Sequence, residues 1–166
     1  MNAADHSERS TNREKLLEHL FVGDLLRCLW RSGVRDVEVL RAEVDSGGFD
    51  LVVECGGVLR HIQLKTSHRG AKTAKVDINT ALAKKTSGCV IWLLFDESTL
   101  ELGPFLWFGA EPGHRLPDLG DRVGRHTRGN KGEKGYRKNI RQVRRSAFRS
   151  LSSMEYLARA LFGAAA

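Results

Sequence analysis

The sequence predicts an α/β protein in which helices flank a mixed central sheet. Three features predict this class: an amphipathic segment near the N-terminus, two β-segments joined by a Gly-Gly turn, and a continuous apolar run at residues 89–95. Such a run is typical of a strand that is buried on both faces. The predicted order of elements begins α-β-β-β-α-β and continues through two more strands to a terminal helix.

The first helix is predicted to begin at Thr11 or Asn12, either of which can cap it, and to end at about residue 31. Its apolar stripe comprises Leu17, Phe21, Val22, Leu25, Cys28 and Leu29. Residues 1–12 are polar and predict a frayed lead-in to a single domain at residues 13–166. They lack the apolar segment of an export signal, so we expect a cytoplasmic protein.

A β-hairpin is predicted around the turn Gly56-Gly57. A two-residue loop at this position pairs Cys55 with Val58, and the same register places Asp50 opposite Gln63. Residues that lie opposite each other in antiparallel strands point to the same face of the sheet. The hairpin therefore brings a carboxylate and an amide oxygen side by side.

Lys65 shares the face of Gln63, because side chains alternate along a strand with a period of two. The sequence thus predicts one polar face with Asp50, Gln63 and Lys65, and one apolar face with Phe49, Leu51, Val53, Ile62 and Leu64. A simple cross-strand ion pair between Asp50 and Lys65 on a solvated face is the alternative that involves no chemistry.

The other elements are predicted from apolar patterning, caps and turn residues. In chain order they are a strand at 34–44, a short helix at 80–85, the buried strand at 89–95, a strand at 100–108 interrupted by Pro104, a strand at 140–143 and a terminal helix at 153–162. Ser152 and Glu155 have the spacing of a capping box for that last helix. Residues 111–135 are predicted to form a long loop.

The composition excludes several classes of protein. No stretch of about 18 apolar residues exists, so we expect no membrane partner. Cys28, Cys55 and Cys89 are far apart and odd in number, which fits neither a disulfide framework nor a zinc site. Reduced thiols are the expected state.

The positive charge is concentrated in residues 111–149. Between Gly113 and Arg149 there are 12 Lys or Arg and 3 acidic residues, a local charge of +9, which leaves −2 for the rest of a chain of net charge +7. A basic segment attached to a nearly neutral domain is typical of proteins that bind a polyanion, although solvated surface charge is the ordinary alternative. The predicted phosphate contacts in it are Arg125, Arg128, Lys131, Lys134, Arg137, Lys138 and Arg141.

Glu18 falls within the apolar stripe of the first helix, close to Leu25 and Leu29 on the helical wheel. A carboxylate in that position is costly unless it is paired, protonated or bound to a cation. A salt bridge is the plain interpretation, and a role in a cation site is the functional one.

Together these residues resemble the PD-(D/E)xK nuclease superfamily, which has the restriction-endonuclease-like fold. The resemblance lies in Glu18 on the first helix, in Gly48-Phe49-Asp50 at the start of one strand and in Gln63-Leu64-Lys65 on the next. It extends over residues 15–108, and the order α-β-β-β-α-β is similar to the superfamily's core.

The resemblance implies a DNA endonuclease that depends on Mg²⁺, with Mn²⁺ as a substitute. Asp50, Gln63 and the backbone carbonyl of Leu64 would then hold the ion, and Glu18 would reach it directly or through water. Lys65 would orient and help to deprotonate the attacking water. The expected catalytic residues are therefore Glu18, Asp50, Gln63 and Lys65.

Two positions depart from the superfamily's pattern. Phe49 stands where a proline often precedes the aspartate, and Gln63 replaces the usual glutamate. An amide still offers an oxygen to a metal but no charge. The alternative function is thus a catalytically weakened module that binds nucleic acid or a partner protein.

Further nucleic-acid contacts are predicted around the second hairpin strand, although a solvated strand and loop would explain the same residues. They are His61, Ser67, His68, Arg69 and Lys72. RNA remains open as a substrate, since basic loops do not distinguish the two sugars. A homodimer would suit the cleavage of two strands, because it offers two symmetric sites.

Overall fold

A computed structural model describes residues 3–44, 46–125 and 135–166, with side chains from residue 11 onward. The two α-helices are α1 (Ala3–Arg31) and α2 (Met154–Phe162). The nine strands of the described residues are β1 (Val37–Arg41), β2 (Leu51–Cys55), β3 (Val58–His68), β4 (Lys75–Asn79), β5 (Gly88–Phe95), β6 (Leu102–Gly109), β7 (Val123–Arg125), β8 (Tyr136–Arg144) and β9 (Arg149–Leu151).

The central sheet has six strands in the order β1-β2-β3-β5-β6-β9. All neighbours are antiparallel except β3 and β5, which run parallel, so the sheet is mixed. The predicted α/β class with a mixed central sheet is confirmed. A second sheet of three strands, in the order β4-β8-β7, was not predicted.

Two apolar clusters cover the two faces of the central sheet. On one face, α1 and α2 pack over β2, β3, β5 and β6, with Phe21, Leu25, Leu157 and Leu161 among the buried residues. On the other face, residues of β4, β8 and the segment after β4 pack against Trp92 and its neighbours. Every residue of β5 is buried, as its sequence predicted.

The α-helices cover one face of the central sheet only. The predicted helix at 80–85 is only a short 3₁₀ helix, Leu82–Lys84, because this six-residue segment is too short to nucleate a stable α-helix. The three-stranded sheet takes the place of a helix on the other face.

The first helix begins at Ala3, whereas the sequence predicted a start at Thr11 or Asn12. Both of these residues lie inside the helix. Residues 5–12 are mostly Asp, His, Ser, Thr and Asn, which are weak helix formers, so helix propensity does not explain the longer helix. The lead-in at 1–12 stays a prediction.

The predicted hairpin register is confirmed, since Cys55 pairs with Val58 and Leu51 with Ile62. The ladder ends there, while β3 continues as far as His68. Phe49 precedes β2 and packs against the second cluster. The prediction that it shares the apolar face of Leu51 was therefore wrong. The alternation of faces is lost because the strand has not yet begun at residue 49.

The strand at 100–108 is confirmed as β6, and the register shift around its Pro104 marks the expected bulge. The sequence placed a loop at 111–135, but β7 lies within it, and β8 is longer than the predicted strand at 140–143. The terminal helix is confirmed, but its N-cap is Ser153 rather than Ser152, since the Ser153 side chain accepts a hydrogen bond from the amide of Tyr156. Over the residues that the structure describes, neither helix combines the length and apolarity needed to cross a membrane.

Candidate active site

The part of β3 that extends beyond β2 opens one edge of the sheet. A cavity of about 480 Å³ lies there, between the first helix, the two strands and the segment around Thr73. It is lined by Thr11, Glu14, Lys15, Glu18, Asp50, Leu64, Lys65, Thr66, Ser67, Thr73 and Val76. Three of the four predicted catalytic residues therefore border one cavity.

Asp50 is fixed at the point where β2 and β3 separate. Its amide donates to the carbonyl of Ile62 at 2.8 Å, and its carboxylate Oδ2 accepts from the amide of Leu64 at 2.7 Å. The carboxylate thus supplies the acceptor that β2 no longer offers to this stretch of β3. Asp50 is therefore hydrogen-bonded to Ile62 and Leu64, the residues on either side of Gln63.

Gln63 is buried, with 5% of its surface exposed, and lies opposite Val90 in the parallel ladder. It does not line the cavity. Its Oε1 is buried without a hydrogen-bond partner among the described residues. A buried amide oxygen without a partner is costly, so this atom is a position where an added donor or cation would stabilise the protein.

Glu18 is 8% exposed and is held by two cations. Its Oε1 accepts from Nε of Arg41 at 2.9 Å, and its Oε2 lies 3.2 Å from Nζ of Lys15. The structure therefore confirms the interpretation of Glu18 as a salt-bridged carboxylate. Arg41 also contacts Nδ1 of His19 at 3.1 Å.

The charged groups that line the cavity leave an excess of one negative charge. Three are carboxylates, on Glu14, Glu18 and Asp50, and two are ammonium groups, on Lys15 and Lys65. Glu14 was missed by the sequence analysis, although its spacing of four residues from Glu18 places both on one helix face. The predicted helix start at Thr11 or Asn12 placed Glu14 in the first turn of the helix, where the sequence analysis gave it no role.

The donor types at the cavity suit a hard cation such as Mg²⁺, which prefers carboxylate and amide oxygens. No group of three His, Cys, Asp or Glu side chains within the described ranges is arranged to hold a metal ion. A third protein donor beside Asp50 and Glu18 would have to be an amide or a backbone carbonyl. Leu64 lines the cavity, whereas Gln63 offers an unpartnered Oε1 but is not among the lining residues.

The residues predicted to contact nucleic acid are only partly brought together. Ser67 lines the cavity, and its Oγ accepts from Nε1 of Trp92 at 3.0 Å. His61 lies away from the cavity, where Nδ1 is 3.2 Å from the carbonyl of Thr86 and burial lowers its pKa.

His68 and Arg69 also lie outside the cavity. Nδ1 of His68 is 3.9 Å from a carboxylate oxygen of Glu97. Arg69 donates through Nε to the carbonyl of Gly103 at 2.7 Å and lies 3.9 Å from Asp96. Arg69 thus ties the end of β3 to the neighbouring loop, which is a structural task.

The basic segment divides in a similar way. Arg137 pairs with Asp77 at 3.6 Å, and Arg141 donates to the carbonyls of Lys138 and Ile140. Arg125 lies over the ring of Tyr136, with 5.7 Å to its centroid, while Lys138 is exposed. The predicted contacts at Arg128, Lys131 and Lys134 lie outside the described residues.

Comparisons with known proteins add little to this geometry. No family model and no curated protein matches the chain. Among solved structures, the chain is similar to a bacterial homing endonuclease, I-Ssp6803I, with 19% identity, 60% of this chain covered and a TM-score of 0.30. The match spans 64% of that protein's length, and a likeness at this level carries no argument about function.

Proposed function

We propose that the protein is a divalent-metal-dependent endonuclease that hydrolyses phosphodiester bonds in DNA, with a Gln-x-Lys variant of the PD-(D/E)xK site. The observation that carries the proposal is the cavity that brings together Glu18, Asp50 and Lys65. A net negative cavity next to basic surface is the charge arrangement that such a reaction requires.

Asp50 and Gln63 would hold the ion, with the Leu64 carbonyl as a further oxygen donor. When bound, the ion would lower the pKa of water and neutralise charge that develops on the phosphate. Glu18 would contribute a second carboxylate, for which the cation would compete with Arg41. The hydrogen bond from the Leu64 amide orients the carboxylate of Asp50 at the cavity.

Lys65 would act on the reacting groups directly. Its ammonium would orient the attacking water and balance the charge of the phosphate, while the attacking water passes its proton to solvent as its oxygen bonds to phosphorus, and solvent protonates the leaving oxygen. The bond between phosphorus and the leaving oxygen then breaks. Thr66 and Ser67, which line the same cavity, would border the substrate strand.

The test is cleavage of supercoiled DNA with Mg²⁺ or Mn²⁺. We expect Asp50→Asn and Lys65→Ala each to lower the rate by about 100-fold or more. Asp24→Asn and Lys84→Ala are matched controls, since both residues lie outside the cavity lining and should leave the rate unchanged. Equal rates in all four variants would refute the proposal.

The second candidate is a module that binds DNA without cutting it. Gln63 in place of an acid, and the lack of three grouped metal-ligating side chains over the described ranges, favour it. Tight DNA binding together with no nicking in either metal would select this function. RNA as a substrate and a homodimeric state both stay predictions.

A further inference from the structure

A second concave surface adjoins the candidate active site. This basic groove has a volume of about 570 Å³ and shares Thr73 with the cavity described above. It is lined by Ala71, Lys72, Thr73, Ala74, Lys75, Arg122, Arg144, Arg145 and Ser146. Five of the nine side chains are cationic and none is acidic.

The fold brings these charges together from three distant parts of the chain. Lys75 on β4 pairs directly with Arg144 on β8, and the amide of Arg145 donates to the carbonyl of Ala74 at 2.8 Å. Arg122 reaches the groove from the segment before β7. Opposed cations in a ladder repel each other, so the second sheet carries an electrostatic cost at this pair.

The cations of the groove are not neutralised by carboxylates. Within the described ranges, none of Lys72, Lys75, Arg122, Arg144 and Arg145 forms an ion pair within 4.0 Å of an acid. Lys75 donates to Oε1 of Gln142 at 2.6 Å, and Arg145 lies over the ring of Trp92 at 5.6 Å. Those contacts position two side chains without cancelling their charge.

Other basic side chains of the same sheet are engaged differently. Arg137 pairs with Asp77, and Arg141 bonds to backbone carbonyls. Among the described residues of the second sheet and its flanking segments, the groove thus gathers five cations that no carboxylate neutralises.

We infer that the groove binds the phosphate backbone of the DNA strand that enters the candidate active site past Thr73. The inference rests on the proposed function for its choice of DNA as the polyanion. It assigns the main phosphate contacts to Lys72, Lys75, Arg122, Arg144 and Arg145, which the fold gathers into one groove. Phosphate contacts position a nucleic acid without reading its bases, so the groove binds without sequence preference.

The test is the fluorescence anisotropy of a short labelled DNA duplex, measured in EDTA so that no cleavage occurs. The groove variant is Lys75→Gln combined with Arg144→Gln, which removes two cations and the repulsion between them. The control is Arg31→Gln combined with Arg159→Gln, an equal change of charge on the two helices that cover the other face of the sheet.

We expect the groove variant to bind about tenfold more weakly and its salt slope, measured between about 50 and 200 mM, to fall by about 2. The melting temperature should stay level or rise, because a repulsive pair is gone. The control should keep nearly the wild-type affinity and slope. Equal losses of affinity in both variants would overturn the inference.

The outcome separates this inference from the proposed function. If the groove variant loses DNA binding and the wild type does not nick DNA with either metal, the result supports the groove and refutes the nuclease. If the wild type nicks DNA with metal and the groove variant binds DNA as tightly as the control does, the result supports the nuclease and refutes the groove.

Discussion

Gln63 is the residue at which the candidate site is most unusual. Its buried Oε1 lacks a partner among the described residues, which costs about 1–3 kcal/mol in a folded protein. The Nη1 atom of Arg60 is the other buried side-chain atom without a partner in the described part of the chain. A cation ligand that replaces the customary glutamate would explain both the burial and the missing partner.

We therefore predict that Gln63→Met has opposite effects on stability and on metal binding. In EDTA the free energy of unfolding should stay level or rise by about 1 kcal/mol, because the variant buries no unpaired oxygen. Mn²⁺ should raise the melting temperature of the wild type by binding the folded state, and should no longer do so in the variant. Urea unfolding and thermal melts with and without Mn²⁺ measure the two effects.

The matched control is Gln142→Met on β8. Gln142 accepts from Lys75 and donates to Asp77, so its loss should lower stability and leave the Mn²⁺ effect intact. A normal Mn²⁺ shift in Gln63→Met would contradict the assignment of Gln63 as a ligand.

At the scale of elements, the end of α2 depends on one buried cation. Arg60 on β3 has none of its surface exposed, and it donates through Nε to the carbonyl of Leu161 at 2.5 Å and through Nη2 to that of Ala160 at 3.0 Å. The last carbonyls of a helix have no partner inside the helix, and a positive charge there also complements the helix dipole. Arg60 therefore joins the terminal helix to the central sheet.

Arg60→Met should lower the free energy of unfolding by about 3 kcal/mol, because two buried carbonyls lose charged donors. Arg159→Met, on the exposed side of the same helix, should change it by less than about 0.5 kcal/mol. Urea unfolding measures both values. Equal stability of the two variants would show that burying the guanidinium costs as much as its hydrogen bonds return.

At the scale of the whole molecule, local sequence patterns predicted the two helices and most strands of the central sheet, but not the pairing of distant segments. The Gly56-Gly57 turn fixed the hairpin register, and the apolar run at 89–95 fixed the buried strand. The second sheet could not be predicted, because β4 pairs with β8 across more than fifty intervening residues. The alternation Lys75-Val76-Asp77-Ile78-Asn79 does have the period of a strand, which the sequence analysis missed, but such a local pattern does not identify the partner strand.

The candidate site was predictable to a similar extent. Motif spacing singled out Glu18, Asp50 and Lys65, which do border one cavity. The partners of Glu18, above all Arg41, and the carbonyl partners of Arg60 depend on how separate elements meet, which no local pattern encodes. The contact between the His61 ring and the carbonyl of Thr86, a residue outside the hairpin, depends on the fold in the same way.

The central claim is that the edge of the sheet beside β3 holds a divalent cation. Anomalous diffraction from crystals soaked in Mn²⁺ tests it most directly, because the ion's position is then measured without reference to activity. We predict a peak at about 2.0–2.5 Å from a carboxylate oxygen of Asp50 and from Oε1 of Gln63, with Glu18 turned away from Arg41. Saturating Mn²⁺ that leaves no peak between Asp50 and Gln63 would contradict the account.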